Sequence, residues 1–122
     1  MPIPRVFELE DQEGVLIVVP LTSIGTLGGE DVQQELGELF QRIERSHLGH
    51  ALIDFGRLTY FSSSMLGVLH AIWKRVRAAE GRMAICQLSG VCREILKITR
   101  FDTLWPIYPT RSDALAALRD PE

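Results

Sequence analysis

Two cysteines, Cys86 and Cys92, are the whole cysteine content of the chain. They do not form a CxxC pair, both fall at apparent core positions, and no histidine stands where it would complete a metal set. Buried, reduced thiols are the expectation, with no metal and no disulfide. Long apolar runs are also missing. Nothing approaches the roughly 18 residues that span a bilayer. The opening Met1-Pro2-Ile3-Pro4-Arg5 has neither the basic start nor the apolar stretch of a secretion signal. A cytoplasmic protein without membrane insertion is expected. Positive charge is not in excess either. The formal net charge is −3, whereas nucleic-acid binding calls for a basic patch or stripe. The cluster Lys74, Arg75 and Arg77 reads as the wet side of a helix, so no nucleic-acid partner is expected.

Catalytic and cofactor motifs are absent as well. Residues 21–29 hold Gly25, Gly28 and Gly29 but no lysine, no GxxxxGK[ST] and no GxGxxG. The stretch reads as a connection into a helix, and no cofactor is expected. Glu8, Glu10, Asp54 and Asp102 form no spaced carboxylate pair. His47, His50 and His70 carry no triad pattern. A non-enzymatic protein follows.

What remains is a composition of 46% hydrophobic and 24% charged residues over 122 positions. That is enough for one domain, residues 1–122 with a core of about 5–119. Residues 5–10 alternate, residues 11–14 turn on Gly14, and residues 15–19 are a β-branched run ended by Pro20. This is a hairpin. A helix follows over residues 30–47, with Val32, Leu36, Leu39, Phe40 and Ile43 as its apolar stripe and Gly37 inside it. Gly37 suggests a close backbone approach, and Gly49 a left-handed cap. Residues 51–55 are a short apolar strand covered on both faces. From Leu66 the period changes to three and four through Leu69, Ile72, Val76 and Ala79, a helix ended at Gly81. A strand over residues 82–88 comes next. Ser89 then caps a helix over residues 91–99 that buries Val91, Ile95 and Ile98. Leu104 to Ile107 is a short edge strand, and Ser112 and Asp113 open a last helix through Leu115 and Leu118. The order is α/β. A mixed, mostly parallel sheet grows from an N-terminal hairpin followed by alternating helices and strands.

Ser62, Ser63 and Ser64 sit where the period switches from strand to helix. Ser63 lacks the flanking glycines of a G-x-S-x-G nucleophile elbow. His70 lies seven positions further along the same helix, about 10 Å away along its axis. Catalysis at this serine is therefore not expected. A phosphate is a different matter. It adds about −1.5 to −2 charge and three acceptor oxygens. A helix start tolerates these through free N–H groups and its partial positive charge. The fold would change little, while a partner docked over the spot would meet new charge.

The stretch from Leu52 through Ser62-Ser63-Ser64-Met65-Leu66-Gly67 and Gly81 to Phe101-Asp102-Thr103-Leu104 resembles the STAS domain, the anti-sigma factor antagonist family. The likeness covers residues 15–118 and is strongest over residues 52–105. The family's Asp-Ser-Ser-Gly falls on Ser62 to Met65, and its Leu-Gly on Leu66-Gly67. The resemblance implies a single STAS-like domain that binds an anti-sigma factor acting also as a serine kinase, with a phosphatase reversing the modification. It implies Ser63 as the phosphoacceptor, with Ser62 and Ser64 as alternatives. Partner contacts are expected at Ser62, Ser63, Ser64 and Met65, and at Thr22 and Ser23 of the glycine-rich loop. Two positions depart from the family: Ser62 replaces its Asp and Met65 replaces its Gly. The alternative reading is a constitutive STAS subunit of a transport or other complex without phosphorylation. An exposed apolar patch at Phe61 and Met65 would support a homodimer.

Overall fold

The computed structural model describes residues 6–21, 30–45 and 49–119. The expectations for Thr22, Ser23, the remainder of the glycine-rich loop, His47 and both chain ends lie outside them. Strands β1 (Phe7–Gln12) and β2 (Val15–Pro20) form the hairpin, with antiparallel register from Phe7 opposite Pro20 to Gln12 opposite Val15. The two turn residues Glu13 and Gly14 have φ of 54° and 82°. This suits a two-residue turn whose twist matches the strands. Helix α1 (Glu30–Arg45), β3 (His50–Asp54), α2 (Ser63–Ala78), β4 (Met83–Cys86), α3 (Gly90–Ile98), a 3-10 turn (Phe101–Thr103), β5 (Ile107–Tyr108) and α4 (Arg111–Arg119) follow. The sheet order is β1-β2-β3-β4-β5, and every pair after the hairpin is parallel.

Strand alternation divides the core into two layers. Leu16, Val18, Ala51, Ile53, Met83 and Ile85 pack beneath α1, α2 and α3. Val15, Ile17, Leu52, Ala84 and Cys86 face the opposite layer, where α4 contributes Ala114, Leu115 and Leu118. Covered on both sides, β2 is buried at all six positions, which explains its unbroken apolar run. Both cysteines are free and buried. Burial, with Asp54 nearby, pushes the Cys86 thiol up to about 12, against the counteracting charge of Arg111.

Several local expectations need correction. Among the described residues nothing lies within 4 Å of where a Cβ at Gly37 would stand, so no described backbone approaches there. Gly81 is not the left-handed residue after α2; Glu80 is, with φ of 60°. What excludes a side chain at Gly81 is the Gly49 carbonyl oxygen, which stands where a Cβ would go. Gly81→Ala is therefore expected to cost about 1–3 kcal/mol, because two backbones must separate. Gly37→Ala is expected to stabilise the protein by roughly 0.5–1 kcal/mol. Urea midpoints of the two variants should move in opposite directions.

The largest correction concerns α3. The residues it buries are Cys92 and Leu96. Val91 and Ile98 are 57% and 75% exposed, and Ile95 packs only partly against the core. The segment also holds two apolar stripes one residue apart, and β4 and the 3-10 turn rotate the Cys92–Leu96 stripe inward. Around Leu104 to Ile107 the strand is shorter than expected. The chain turns through Phe101–Thr103, buries Trp105 and pairs only at Ile107 and Tyr108.

His50 gives the fold a pH dependence. Its Nδ1 accepts the Arg82 N–H at 2.9 Å. Desolvation, and then the Arg82 charge, hold its pKa below the ordinary 6.5. The folded state thus binds a proton less readily than the unfolded state. The resulting stability is present above the unfolded value and is lost as pH falls below 6.5 toward the lower folded value. Melting temperature should drop between pH 7.5 and pH 5.5, and His50→Asn should flatten that slope.

Candidate functional site

The site is built by the connection from β3 into α2. After Asp54 the chain leaves the sheet: Phe55 N–H donates to the Cys86 carbonyl at 3.1 Å, and Leu58 N–H donates to the Phe55 carbonyl at 3.1 Å. Phe61 then plugs back into the core, 3% exposed, with its ring 5.1 Å from that of Phe55. This anchor delivers the three serines to the surface in a defined frame. Ser62 is extended (φ −85°, ψ 171°) and its carbonyl accepts the Met65 N–H at 3.0 Å. Ser62 stands at the cap position, and its side chain makes no capping bond.

Ser63 is the first helical residue and is exposed. Among the described residues its hydroxyl has no hydrogen-bond partner. The first turn of α2 contains no acidic residue, so its N–H groups and positive end meet no negative side chain of their own turn. Met65 differs from expectation. It is fully buried, because position 65 lies on the same helical stripe as Leu69 and Ile72. It cannot touch a partner. With Phe61 also buried, the proposed homodimer patch does not exist at the surface. Burial of Met65 has a further effect: no side chain at that position covers the helix start, and the neighbouring Gly67 is exposed. Thr22 and Ser23 lie outside the described residues.

The loop is tied to α3. The Ser89 hydroxyl donates to the Thr59 carbonyl at 2.6 Å and accepts the Cys92 N–H at 3.1 Å, which caps that helix. Tyr60, next to Thr59, is 57% exposed.

Behind the connection lies a polar cluster that motif reading missed. Asp54 is 3% exposed. Its Oδ1 accepts the Gly56 N–H at 2.8 Å, and its Oδ2 accepts Gln87 Nε2 at 2.9 Å and Arg111 Nε at 3.0 Å. Arg111 also pairs with Glu10 and bonds Gln12 on β1. Burial alone would lower the Arg111 pKa, but hydrogen bonds to Asp54 and Glu10 outweigh it and raise the value. With Glu8, Val19 and Arg57 the cluster borders an open cleft of about 240 Å³. Every Asp54 oxygen is occupied, so the cluster holds α4 against β1, β3 and the exit of β4. The available sequence signal was one carboxylate ending an otherwise apolar strand. Among the described residues no group of three His, Cys, Asp or Glu could hold a metal ion. No described helix is long and apolar enough to cross a membrane.

The fold has known counterparts. The STAS domain family matches residues 7–114, and the chain belongs to that family. A protein of Bordetella bronchiseptica named as an anti-sigma factor antagonist, BtrV, is 29% identical over 107 residues, covering 88% of this chain and 89% of the relative. An anti-sigma-factor antagonist (STAS) domain protein from Planctomyces limnophilus superposes with a TM-score of 0.75 at 25% identity, over 92% of this chain and 97% of its own. The Bacillus cell fate determinant SpoIIAA in its phosphorylated form shares the fold, with a TM-score of 0.66 at 19% identity over 93% and 99% of the two chains.

Proposed function

We propose that this chain is a non-enzymatic anti-sigma factor antagonist, switched by phosphorylation of Ser63. In its unmodified form it captures a kinase-type anti-sigma factor and so frees a sigma factor. The partner phosphorylates Ser63 and is released, and a phosphatase restores the hydroxyl. The observation that carries this reading is an exposed, unpartnered Ser63 hydroxyl at the first position of α2, with no acidic side chain in that turn. A phosphoryl group there would sit at the positive end of the helix dipole, with no acidic side chain in that turn, so the fold would tolerate it. A docked surface would instead face new charge and the cost of desolvating it. The names of two relatives, both anti-sigma factor antagonists, support the antagonist part of this reading.

The second reading is a constitutive STAS subunit of a larger assembly. It draws on Ser62, which stands where the family carries Asp. Phosphate incorporation separates the two. The protein is incubated with ATP and the kinase-type anti-sigma factor of its own genome, and the modified residue is mapped by mass spectrometry. One phosphate on Ser63, absent in Ser63→Ala, is expected. Stable binding with no phosphate on any serine would move the assignment to the constitutive subunit.

A further inference from the structure

Helix α3 turns an apolar stripe to solvent. Val91 and Ile98 lie seven positions apart, two turns along one side, with Ile95 between them. Among the described residues Val91 and Ile98 are two of four exposed large hydrophobics; the others are Tyr60 and Leu104, the latter just beyond the 3-10 turn that follows α3. The Ser89–Thr59 hydrogen bond brings the start of α3 against the loop that carries Tyr60 and leads to Ser63. The Val91 end of the stripe therefore starts near the loop that leads to the head of α2.

Charge on and just after α3 is mostly positive, with Glu94 and Asp102 as the exposed acids. Arg93, Lys97 and Arg100 are exposed on or just after α3, against a single Glu94 within the helix. None of these three cations has an ion-pair partner among the described residues. Four cations elsewhere do meet carboxylates: Arg42 pairs with Asp11, Arg75 with Glu44, Arg111 with Asp54 and Glu10, and Arg119 with Glu13. A chain of net charge −3 thus places unpaired positive charge beside exposed aliphatic side chains.

We propose that α3 is a second docking element, and that Val91 and Ile98 with the Arg93–Lys97–Arg100 rim receive a protein surface with an apolar centre and an acidic border. The inference rests on the switch reading at Ser63 and assigns its partner's chemistry. It also gives the switch a mechanism. A phosphoryl group on Ser63 adds about two negative charges beside a surface that selects an acidic partner, so like charges meet across the interface. Branched aliphatic side chains, starting near the loop that leads to Ser63, favour a protein over an anionic bilayer.

The test is a calorimetric titration of the full chain with the kinase-type anti-sigma factor of the same genome. Variants are Val91→Ser with Ile98→Ser, Arg93→Glu with Lys97→Glu, and Ser63→Asp. The altered α3 side chains are exposed, so circular dichroism and melting temperature should be unchanged. Each α3 pair is expected to weaken binding about tenfold or more. The charge reversal should lose most of its effect between about 50 mM and about 300 mM salt. Wild-type affinity in both α3 pairs, with binding lost in Ser63→Asp, would overturn the inference and leave the switch reading intact. Absence of binding by the wild-type chain would overturn both. Cosedimentation with phosphatidylserine vesicles that Val91→Ser with Ile98→Ser abolishes, at unchanged partner affinity, would assign the stripe to a membrane and likewise overturn it.

Discussion

Trp105→Ala is expected to cost about 3–5 kcal/mol, the range for truncating a large buried aromatic. Trp105 is 2% exposed. It stacks on Phe101 at 5.1 Å with the rings 4° from parallel, and meets Trp73 edge-on at 6.3 Å. His70 approaches Trp73 at 5.5 Å and Phe101 at 6.5 Å. These rings fill the space between α2 and the 3-10 turn, and α3 and β5 depend on that turn for their placement. A domain of this size has only about 5–15 kcal/mol of stability, so the loss removes a large share of it. Trp105→Phe gives a sharper comparison. Among the described residues the buried indole Nε1 has no hydrogen-bond partner, and such a group costs roughly 1–3 kcal/mol. Phenylalanine removes that cost and keeps most of the stacking. It should lie at least 2 kcal/mol above the alanine variant, about the span separating ring loss from ring retention. Urea unfolding followed at 222 nm reads both values. Equal destabilisation by Phe and Ala would mean that the stacking contributes nothing.

The second large effect is at Asp54. Asp54→Ala leaves the Gln87 amide, the Gly56 N–H and the Arg111 guanidinium without their shared acceptor. Breaking a buried ion pair from one side costs about 3–5 kcal/mol. Here the Arg111 side chain is 30% exposed and keeps Glu10. Solvent screening brings the expectation down to about 2–4 kcal/mol. A double-mutant cycle with Arg111→Ala should show coupling of roughly 1–2 kcal/mol. Asp54→Asn should recover little, because it turns amide hydrogens toward groups that are themselves donors. Additive single and double variants would show that the pair is not a coupled unit.

These two positions also mark where reading the sequence stops. The switch from period two to period 3.6 across Phe55 to Leu66 located Ser63 at a helix start, because periodicity is local. The hairpin, the parallel strands and the order of helices were legible for the same reason. Asp54 was visible as an odd residue in an apolar strand, but its partner is 57 positions away, and no local pattern encodes that distance. In α3 the stripes Val91–Ile95–Ile98 and Cys92–Leu96 are both helical. Which one faces inward depends on how β4 and the 3-10 turn aim the helix. The first was expected to be core, yet Val91 and Ile98 are at the surface and Ile95 is only partly buried. Met65 failed differently. Its place in the family motif suggested a contact residue, yet its own helical phase with Leu69 and Ile72 already marked it as buried. Gly81 was read as a conformational need and is a steric one, since Gly49 crosses it from 32 residues upstream, a distance given by 81 − 49.

The central claim is that one hydroxyl decides whether a partner can dock. Its most direct test is the dissociation constant of the kinase-type anti-sigma factor for the unmodified protein and for the same protein carrying phosphoserine at position 63, in one buffer. Tight binding by the first and at least a hundredfold weaker binding by the second is expected, about 2.8 kcal/mol at 1.4 kcal/mol per tenfold. Equal affinity of the two forms would contradict the account and leave Ser63 as an ordinary surface serine at the head of a helix.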